Sequence, residues 1–510
     1  MRRIHSWLLA ATFFAGMGLE AQSQTFVRMP FLQKGSYNKA TVCWRISAAA
    51  ALTVKFGTDS TNLANTSAAS ASNVDACMTL DSTKLQPTTK YFYEVYNGAT
   101  KLTGSVRQTF VTAPLVGAKK KSTFWILGDP GSSGTPQTNV KNAFLRINQG
   151  APLDGVIMNG DVAYESGTDA EFTTNLFTKY PDVFATNFIW SAIGNHEAVA
   201  STTGASYLAA FNFPTAGEIG GVASGSELYY SFNYGNIHFI MLDSQVSSRT
   251  KTGAQYLWLQ QDLQATQQDW IVAIWHHPPY SFSGHNSDTE GQMMDMRTNF
   301  VPLLEQYGVD IVYTGHSHDY ERSYLIDSAY GNSTDNNSKK ARVVLDNKSG
   351  NPTTTGPYRK ASMKGPHQGA VYLVSGSSAK LDAGTLHPMM YVQYSVYGSS
   401  VLTIEDTVAT SKFIDSSGTV RDQFQIVKTR GTVTSAGRPA LKQDAQKFSQ
   451  MGRRFLFPAN NTAPFRIYSL SGDLISQETP KGMWEPSSKR LPTGAYYFRY
   501  GAKFGKISIP

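Results

Sequence analysis

The chain has 510 residues, of which 12% are aromatic and 16% are charged. This length predicts more than one domain, and the composition excludes a largely disordered chain and favours a packed, strand-rich, extracytoplasmic protein. The net charge of +8 does not indicate nucleic-acid binding, because residues 428–510 carry a net +10 and the rest of the chain carries −2.

The first 23 residues predict a secretory signal peptide. Arg2 and Arg3 precede the short apolar run Leu8 to Met17, and small residues stand on both sides of Gln22. A run of this length is too short to span a bilayer, and no later run is longer, so no transmembrane anchor is predicted. We therefore expect an exported protein that is secreted, periplasmic or attached to the cell surface.

Residues 24–115 are predicted to form an all-β sandwich. Apolar residues alternate along Ala40 to Ile46, and the run Tyr91 to Tyr96 ends at a turn, which is typical of short strands. Cys43 and Cys77, the two cysteines of the chain, could form one disulfide or remain two free buried thiols. Because this stretch contains no cluster of metal-binding residue types, its predicted role is structural.

Residues 120–425 are predicted to form a catalytic domain of mixed α and β structure. Strands such as Phe124 to Leu127 alternate with helical stretches such as Gln255 to Gln267, a pattern that favours a largely parallel sheet. The polar stretch Asp327 to Gly365 is predicted to be a surface excursion. A linker at 426–452 and a small all-β module at 453–510 are predicted to follow.

Five apolar runs of the catalytic domain each end at a side chain that can bind a metal ion. Open α/β sheets place their sites just beyond the carboxyl ends of the strands, so these side chains are predicted to form one metal centre. The side chains, in chain order, are Asp129, Asp161 with Tyr164, Asn195, His276, and His316 with His318.

The candidate ligands divide into two chemical groups. Asp129, Asp161 and the Tyr164 phenolate are hard anionic oxygens, which suit a trivalent ion such as ferric iron. Neutral donors, which suit a divalent ion such as zinc, iron or manganese, are supplied by Asn195, His276 and His316. The Asp161 carboxylate can bridge two ions. His318 lies two residues from His316, so each could bind a different ion.

A phosphate ester suits a centre of this kind. Two metal ions polarise the phosphate oxygens, and a metal-bound hydroxide attacks in line. His196 and His285 are candidates to stabilise or protonate the leaving group. By contrast, His238 is interpreted as a core histidine. A supporting role is predicted for the remaining polar residues beside the centre, which are Glu197, Asp243 and His277.

Six short motifs in this order resemble the purple acid phosphatase branch of the metallophosphoesterases. The resemblance implies a β-sandwich of two sheets flanked by helices, with the ligands on loops at the strand ends. The motifs are Gly128-Asp129-Pro130-Gly131, Gly160-Asp161-Val162-Ala163-Tyr164, Gly194-Asn195-His196-Glu197, Val272-Ala273-Ile274-Trp275-His276, Gly315-His316-Ser317-His318 and Asp319-Tyr320-Glu321-Arg322-Ser323.

The resemblance also implies roles for individual residues. Ferric iron would be held by Asp129, Asp161, Tyr164 and His318, and the divalent ion by Asn195, His276, His316 and the shared Asp161. His196 and His285 match positions that bind phosphate or protonate the leaving group. Plant members of this branch have two adjacent histidines at the second position, whereas this chain has His285-Asn286.

The flanking regions carry two further resemblances. Residues 24–115 resemble the fibronectin type III-like domain that precedes the catalytic domain in these enzymes. Residues 453–510 resemble the C-terminal sorting modules of proteins exported by type IX secretion, which implies the secretion machinery as a partner. The Asn-Pro that usually opens such a module is absent, and Phe457-Pro458-Ala459-Asn460 stands near its place.

Three hypotheses for the function follow. The leading hypothesis is an exported binuclear phosphatase that acts on phosphomonoesters. The second is a phosphodiesterase or nucleotide hydrolase that uses the same site and needs a wider cleft for the second ester arm. The third is a surface binding protein whose metal site is vestigial, and the complete ligand set argues against it.

Overall fold

The computed structural model describes residues 24–104, 108–430, 449–451, 453–457, 464–469, 474–487, 491–500 and 503–509. The predicted signal peptide and most of the predicted linker lie outside these residues. The chain divides into two compact units between Arg430 and Gly431. In the described part of the chain, no helix combines the length and hydropathy needed to cross a membrane.

The first eight strands form what we call the N-terminal β-module. In chain order they are β1 (Phe26–Gln33), β2 (Thr41–Ala50), β3 (Thr53–Gly57), β4 (Asn65–Thr66), β5 (Asn73–Thr79), β6 (Lys90–Asn97), β7 (Thr100–Lys101) and β8 (Thr109–Val111). One sheet has the order β1-β2-β5, and a second has the order β4-β3-β6-β7 with β8 also on β6. Cys43 and Cys77 form a disulfide between β2 and β5, which resolves the two alternatives.

Sixteen strands follow in the same unit. They are β9 (Ser122–Leu127), β10 (Gly155–Met158), β11 (Ile189–Ser191), β12 (Tyr230–Tyr234), β13 (Ile237–Met241), β14 (Trp270–Ile274), β15 (Ile311–Thr314), β16 (Tyr320–Ser323), β17 (Leu325–Ile326), β18 (Val344–Asp346), β19 (Tyr358–Lys360), β20 (Val371–Ser375), β21 (Met390–Tyr394), β22 (Gly398–Glu405), β23 (Val408–Asp415) and β24 (Val420–Lys428). Two seven-stranded sheets result, with the orders β11-β10-β9-β22-β23-β24-β19 and β12-β13-β14-β15-β20-β16-β21, while β17 pairs with β18.

Helices cover the outer faces of these sheets. They are α1 (Thr135–Asn148), α2 (Asp169–Glu171), α3 (Pro181–Phe184), α4 (Ala205–Ala210), α5 (Ala254–Ala265), α6 (Gly291–Asp295), α7 (Val301–Gln306) and α8 (Lys340–Val343). Short π-helical segments at Phe172–Phe177 and Met296–Phe300 continue α2 and α6. The predicted helix at 255–267 corresponds to α5.

Successive residues of a strand point to opposite sides of its sheet, so each sheet has an inner and an outer face. The two seven-stranded sheets pack against each other through their inner faces. The rings of Phe124 and Phe239, one from each sheet, lie 4.7 Å apart. On the outer face of the first sheet, Trp125 stacks on Phe144 of α1 at 4.1 Å. The unit is therefore a β-sandwich flanked by helices, in agreement with the expected catalytic fold.

Parallel strands bring the site-bearing loops to one edge of the sandwich. β9, β10 and β11 pair in parallel, and so do β13, β14, β15 and β20. The predicted metal ligands lie just beyond the carboxyl ends of these strands. Both sheets continue into antiparallel strands, however, so the expectation of a largely parallel core is corrected to a mixed one.

Two predicted loop regions contain regular structure. The stretch 327–365 holds α8, β18 and β19, and β19 completes the first large sheet by pairing in parallel with β24. It is therefore more than a surface excursion. β24 itself runs to Lys428, which lies past the predicted start of the linker at 426. The predicted domain boundaries otherwise remain predictions.

The described residues of the second unit form strands. These are β25 (Ser449–Met451), β26 (Arg454–Phe457), β27 (Phe465–Tyr468), β28 (Leu474–Glu478), β29 (Gly482–Trp484), β30 (Gly494–Tyr500) and β31 (Lys503–Ile509). They pair in the orders β25-β26-β29 and β28-β27-β30-β31. A separate apolar core of this unit includes Phe455, Ile467 and Leu491.

Candidate metal centre

All seven predicted ligands meet at one edge of the sandwich. They stand in the loops after five strands: Asp129 after β9, Asp161 and Tyr164 after β10, Asn195 after β11, His276 after β14, and His316 and His318 after β15. Asp129, Asp161 and His316 have φ between +51° and +67°. Non-glycine residues rarely adopt this left-handed conformation, and such strain is concentrated at functional sites.

The first group of side chains surrounds the Tyr164 hydroxyl. This oxygen lies 2.9 Å from Asp161 Oδ2, 3.1 Å from Asp129 Oδ1 and 3.1 Å from His318 Nε2. Both carboxylates and the tyrosine are buried. Three oxygens and one nitrogen therefore converge in the first group.

The second group surrounds the side-chain oxygen of Asn195. This oxygen lies 2.9 Å from His276 Nε2 and 2.9 Å from His316 Nδ1. Asp161 Oδ2, which belongs to the first group, lies 3.4 Å from His276 Nε2. The Asp161 carboxylate is therefore shared between the two groups, in the position that a bridging ligand requires.

Hydrogen bonds behind the ring orient each nitrogen of the second group. His276 Nδ1 donates to the Asn159 carbonyl oxygen at 2.9 Å, which leaves a lone pair on Nε2. His316 Nε2 donates to Glu290 Oε1 at 2.6 Å, which leaves a lone pair on Nδ1. With these tautomers, the two free ring nitrogens and the Asn195 oxygen are all acceptors, and they face one another. Such an arrangement is favourable around a cation, so the residues present fit a metal ion.

The charges of the first group also fit a metal ion. Burial raises the pKa of Asp129 well above its ordinary value, and the charge of Asp161 raises it further. Burial and the charges of both carboxylates raise the pKa of Tyr164 well above its ordinary value. A phenolate at Tyr164 therefore needs a strongly charged cation beside it. The side chains of Asp129, Asp161 and His276 can in fact offer ligand atoms within 4.8 Å of one another.

Two glycines and one glutamate allow the loops that carry the candidate ligands to lie close together. A Cβ atom at Gly194 would stand 2.1 Å from Asp161 Oδ1, and one at Gly315 would stand 2.3 Å from Asp129 Oδ2. The Glu197 carboxylate accepts hydrogen bonds from four backbone N–H groups, those of residues 161–163 and 194. Glu197 therefore holds the loops, as its predicted supporting role requires.

The two candidate catalytic histidines lie beside different groups of the centre. His196 Nε2 lies 3.9 Å from Asp161 Oδ2, while its Nδ1 donates to the Glu165 carbonyl oxygen at 2.6 Å. His285 stacks on His316 with ring centroids 3.6 Å apart. Both rings are partly exposed, so both can reach a substrate.

Sequence reasoning missed three residues of the site. Glu290 accepts from His316 and, through Oε2 at 2.8 Å, from His285 Nδ1. Asp382 Oδ2 lies 3.0 Å from His318 Nδ1 and orients that ring. Lys380 Nζ lies 3.7 Å from the centroid of the Tyr164 ring. The end of the apolar strand β20 at Ser375 could have indicated Lys380 and Asp382, whereas no local pattern marks Glu290.

Three residues were predicted to have structural or supporting roles, and their contacts agree with those roles. His238 is buried and hydrogen-bonded to Asn233 and Asp262. Asp243 accepts from the backbone N–H groups of residues 245–247 and so holds its own loop. His277 is buried next to His276, and its Nδ1 lies 2.8 Å from Ser244 Oγ.

Comparisons with known proteins agree with this geometry. Residues 122–320 match the calcineurin-like phosphoesterase family. The chain is 30% identical to purple acid phosphatase 15 of Arabidopsis thaliana over 278 residues, which cover 47% of this chain and 48% of the relative. It is 31% identical to the purple acid phosphatase of Glycine max over 260 residues, which cover 47% of this chain and 51% of the relative.

A solved structure has a similar fold. The purple acid phosphatase PPD1 of yellow lupin superposes with a TM-score of 0.60 at 17% identity, covering 78% of this chain and 74% of the lupin chain. The chain spans about half the length of the curated relatives that it matches. These matches support the prediction of a phosphatase enzyme.

Proposed function

We propose that this chain is an exported phosphatase that hydrolyses phosphomonoesters with a binuclear metal centre. The observation that supports the proposal most directly is the meeting of seven side chains from five strand ends in two groups that share Asp161. The similarity to purple acid phosphatases supports the same reaction, and the sequence of residues 1–23 supports export.

The two groups of ligands differ in charge, and the proposed metals follow that difference. We assign ferric iron to Asp129, Asp161, Tyr164 and His318, and a divalent ion (zinc, iron or manganese) to Asp161, Asn195, His276 and His316. Bound there, the ions would polarise the phosphate ester and lower the pKa of a coordinated water.

The protein's own side chains have two further tasks. His196, when protonated, donates from Nε2 to a phosphate oxygen, because its Nδ1 proton is already given to the Glu165 carbonyl oxygen. His285 supplies a proton to the leaving alkoxide, and the Glu290 carboxylate beside its Nδ1 stabilises the charged ring before the transfer.

The flanking regions receive structural proposals. The N-terminal β-module is proposed to be a fibronectin type III-like domain, because its short antiparallel strands form two sheets. Residues 453–510 are proposed to be a sorting module for type IX secretion, on the resemblance of their sequence.

Metal analysis of the purified protein and a panel of phosphomonoesters and phosphodiesters test this function. Asp161→Asn should lower kcat on monoesters at least about a hundredfold, because even residues behind metal ligands contribute about 10–100-fold. Asp182→Asn is the control, since Asp182 is largely exposed and pairs with Lys141 outside the centre. Equal rates in Asp161→Asn and wild type would contradict the proposal. Faster hydrolysis of diesters would favour the phosphodiesterase hypothesis.

A further inference from the structure

The N-terminal β-module contacts the segment that follows the Tyr164 loop through a buried arginine. Arg28 on β1 donates from Nη2 to Asp169 Oδ1 at 2.6 Å and to the Asp169 carbonyl oxygen at 2.9 Å. Its Nε donates to Thr173 Oγ1 at 3.0 Å. The Arg28 side chain is 1% exposed. The Asp169 side chain is 45% exposed, but loss of its charge would leave the buried Arg28 guanidinium without this counter-charge, which is costly.

A second arginine of the same module holds the other oxygen of Asp169. Arg45 on β2 donates from Nη1 to Asp169 Oδ2. The rest of its guanidinium forms a two-bond pair with Asp75 on β5, at 2.6 and 2.7 Å. Because Arg45 and Asp75 are paired across neighbouring strands, the guanidinium is fixed by the sheet itself. Both oxygens of Asp169 are thus held by the N-terminal β-module.

The segment that begins at Asp169 holds the loop of Tyr164 in turn. Glu171, two residues further, accepts from the backbone N–H groups of Glu165 at 2.6 Å and Ser166 at 3.1 Å. Asn175 donates from Nδ2 to the carbonyl oxygen of Tyr164 at 2.5 Å. One helical segment, Asp169–Phe177, therefore binds both polar groups of the Tyr164–Glu165 peptide, its carbonyl oxygen and its N–H.

We propose that Arg28 and Arg45 of the N-terminal β-module are positioning residues for the metal centre, acting through Asp169 on the backbone that carries Tyr164 and Glu165. The inference rests on the proposed function for Tyr164 as a ligand. It extends to His196, whose ring is oriented by the Glu165 carbonyl oxygen. The N-terminal β-module is then part of the catalytic architecture, beyond the structural role that its sequence predicts.

A second ion pair provides the control for this inference. Lys34, just after β1, lies 3.2 Å from Glu218 and also joins the N-terminal β-module to the catalytic domain. The Glu218 carboxylate otherwise accepts from the backbone N–H of Ala216, which lies outside the Tyr164 loop. Lys34→Gln therefore removes a bridge between the same two regions without touching Asp169.

The experiment compares the full-length variants Asp169→Asn, Arg45→Gln and Lys34→Gln. Arg45→Gln is included because Arg45 is partly exposed and its loss is easier to tolerate than that of Arg28. The first readout is amide hydrogen exchange of residues 164–168 in metal-free protein. The second is the visible absorption band of the iron-loaded protein, and the third is kcat and KM on a phosphomonoester.

Asp169→Asn and Arg45→Gln should accelerate exchange at residues 164–168 and shift the visible band. They should lower kcat about tenfold with little change in KM, because small displacements of groups behind a ligand have effects of this size. Lys34→Gln should match wild type in all three readouts. If the two Asp169-contact variants are folded and behave as Lys34→Gln does, the inference is wrong.

Failure of the proposed function gives a different result. A wild-type protein with neither a visible band nor phosphatase activity would contradict the assignment of Tyr164 as an iron ligand. Hydrogen exchange in the metal-free variants would still decide whether the arginines hold the loop, because that readout needs neither metal nor substrate.

Discussion

Carboxylates behind the candidate centre determine which nitrogen of each histidine faces inward. Glu290 accepts the Nε2 proton of His316, and Asp382 stands beside Nδ1 of His318. The two rings consequently present opposite nitrogens, Nδ1 from His316 and Nε2 from His318. Partners of this kind fix the tautomer and raise the basicity of the ligand nitrogen.

Tyr164→Phe should abolish a visible absorption band of the iron-loaded protein, because the band of a phenolate bound to ferric iron requires the phenolic oxygen. Absorption spectra of wild type and variant at equal iron content provide the measurement. Tyr93→Phe is the control, since Tyr93 is equally buried but its hydroxyl donates to the Ala185 carbonyl oxygen. A colourless, iron-free wild-type enzyme with full activity would contradict the assignment.

Glu290→Gln should weaken divalent-metal affinity about 10–100-fold, the usual effect of removing a carboxylate behind a histidine ligand. It should also lower kcat, because His285 loses the carboxylate that stabilises its charged form. Competition with a coloured chelator measures the affinity. Asp295→Asn, which removes an exposed carboxylate paired with Arg249, should leave the affinity unchanged. Wild-type affinity in Glu290→Gln would show that the contact does not act on the metal.

At the scale of elements, strand and helix ends bring charges into the interior. β24 ends at Lys428, whose Nζ donates to Asp310 Oδ2 at 2.6 Å, and Lys360 at the end of β19 donates to Asp310 Oδ1 at 2.7 Å. All three side chains are buried. Asp310 therefore joins the edge of the first large sheet to the start of β15 in the second.

Asp310→Asn should lower the free energy of unfolding by about 3–5 kcal/mol, because it leaves two buried ammonium groups without a counter-charge. Urea unfolding of both proteins measures the difference. Asp182→Asn is the comparison, since Asp182 is largely exposed and its pair with Lys141 is long, at 3.5 Å. That variant should change stability by less than about 1 kcal/mol. A similarly small loss in Asp310→Asn would contradict the importance of this contact.

The end of α7 buries a carboxyl group that makes stability depend on pH. Burial, together with the charge of Asp327, raises the pKa of Glu305 to about 8, although Tyr330, Tyr372 and the Ser328 N–H donate to it. The folded protein thus binds this proton more tightly than the unfolded chain does. Its stabilising effect is complete below the ordinary glutamate pKa and is lost as pH rises through about 8.

Glu305→Gln mimics the protonated carboxyl group and should remove this pH dependence. The melting temperature of the variant should therefore rise relative to wild type as pH increases from about 5 to 8. Melting curves of both proteins across this range provide the measurement. A difference that stays constant with pH would mean that Glu305 does not titrate in this window.

At the scale of the whole molecule, the candidate metal chemistry belongs to one of the two compact units. All ten histidines lie before residue 388, and residues 431–510 contain neither histidine nor cysteine. The second unit also has its own apolar core. Metal binding is therefore expected to stabilise the first unit alone.

Removal of metal with a chelator should lower the melting temperature of the first unit and leave that of the second unchanged. The loss corresponds to about 2.7 kcal/mol for each site when free metal exceeds its dissociation constant a hundredfold. Differential scanning calorimetry with and without chelator measures both transitions, and restored metal should reverse the shift. A first unit that melts at the same temperature without metal would contradict a metal-loaded centre.

The convergence of the candidate ligands could be predicted from the sequence because each candidate lies close to a strand end in the chain. The seven side chains follow five apolar runs within a few residues, and parallel strands of one sheet end at the same edge. The same local logic predicted α5 and the supporting role of Glu197. The assignment of the seven side chains to particular ions remains a prediction.

The tertiary structure decided which distant groups act on those ligands. Glu290, Asp382 and the arginines of the N-terminal β-module reach the centre through contacts between segments far apart in the chain, and β19 joins its sheet across a polar stretch. Hydrophobic periodicity shows which face of an element is apolar, but it does not show which segment covers that face. The partners of the ligands therefore became visible only when the chain was folded.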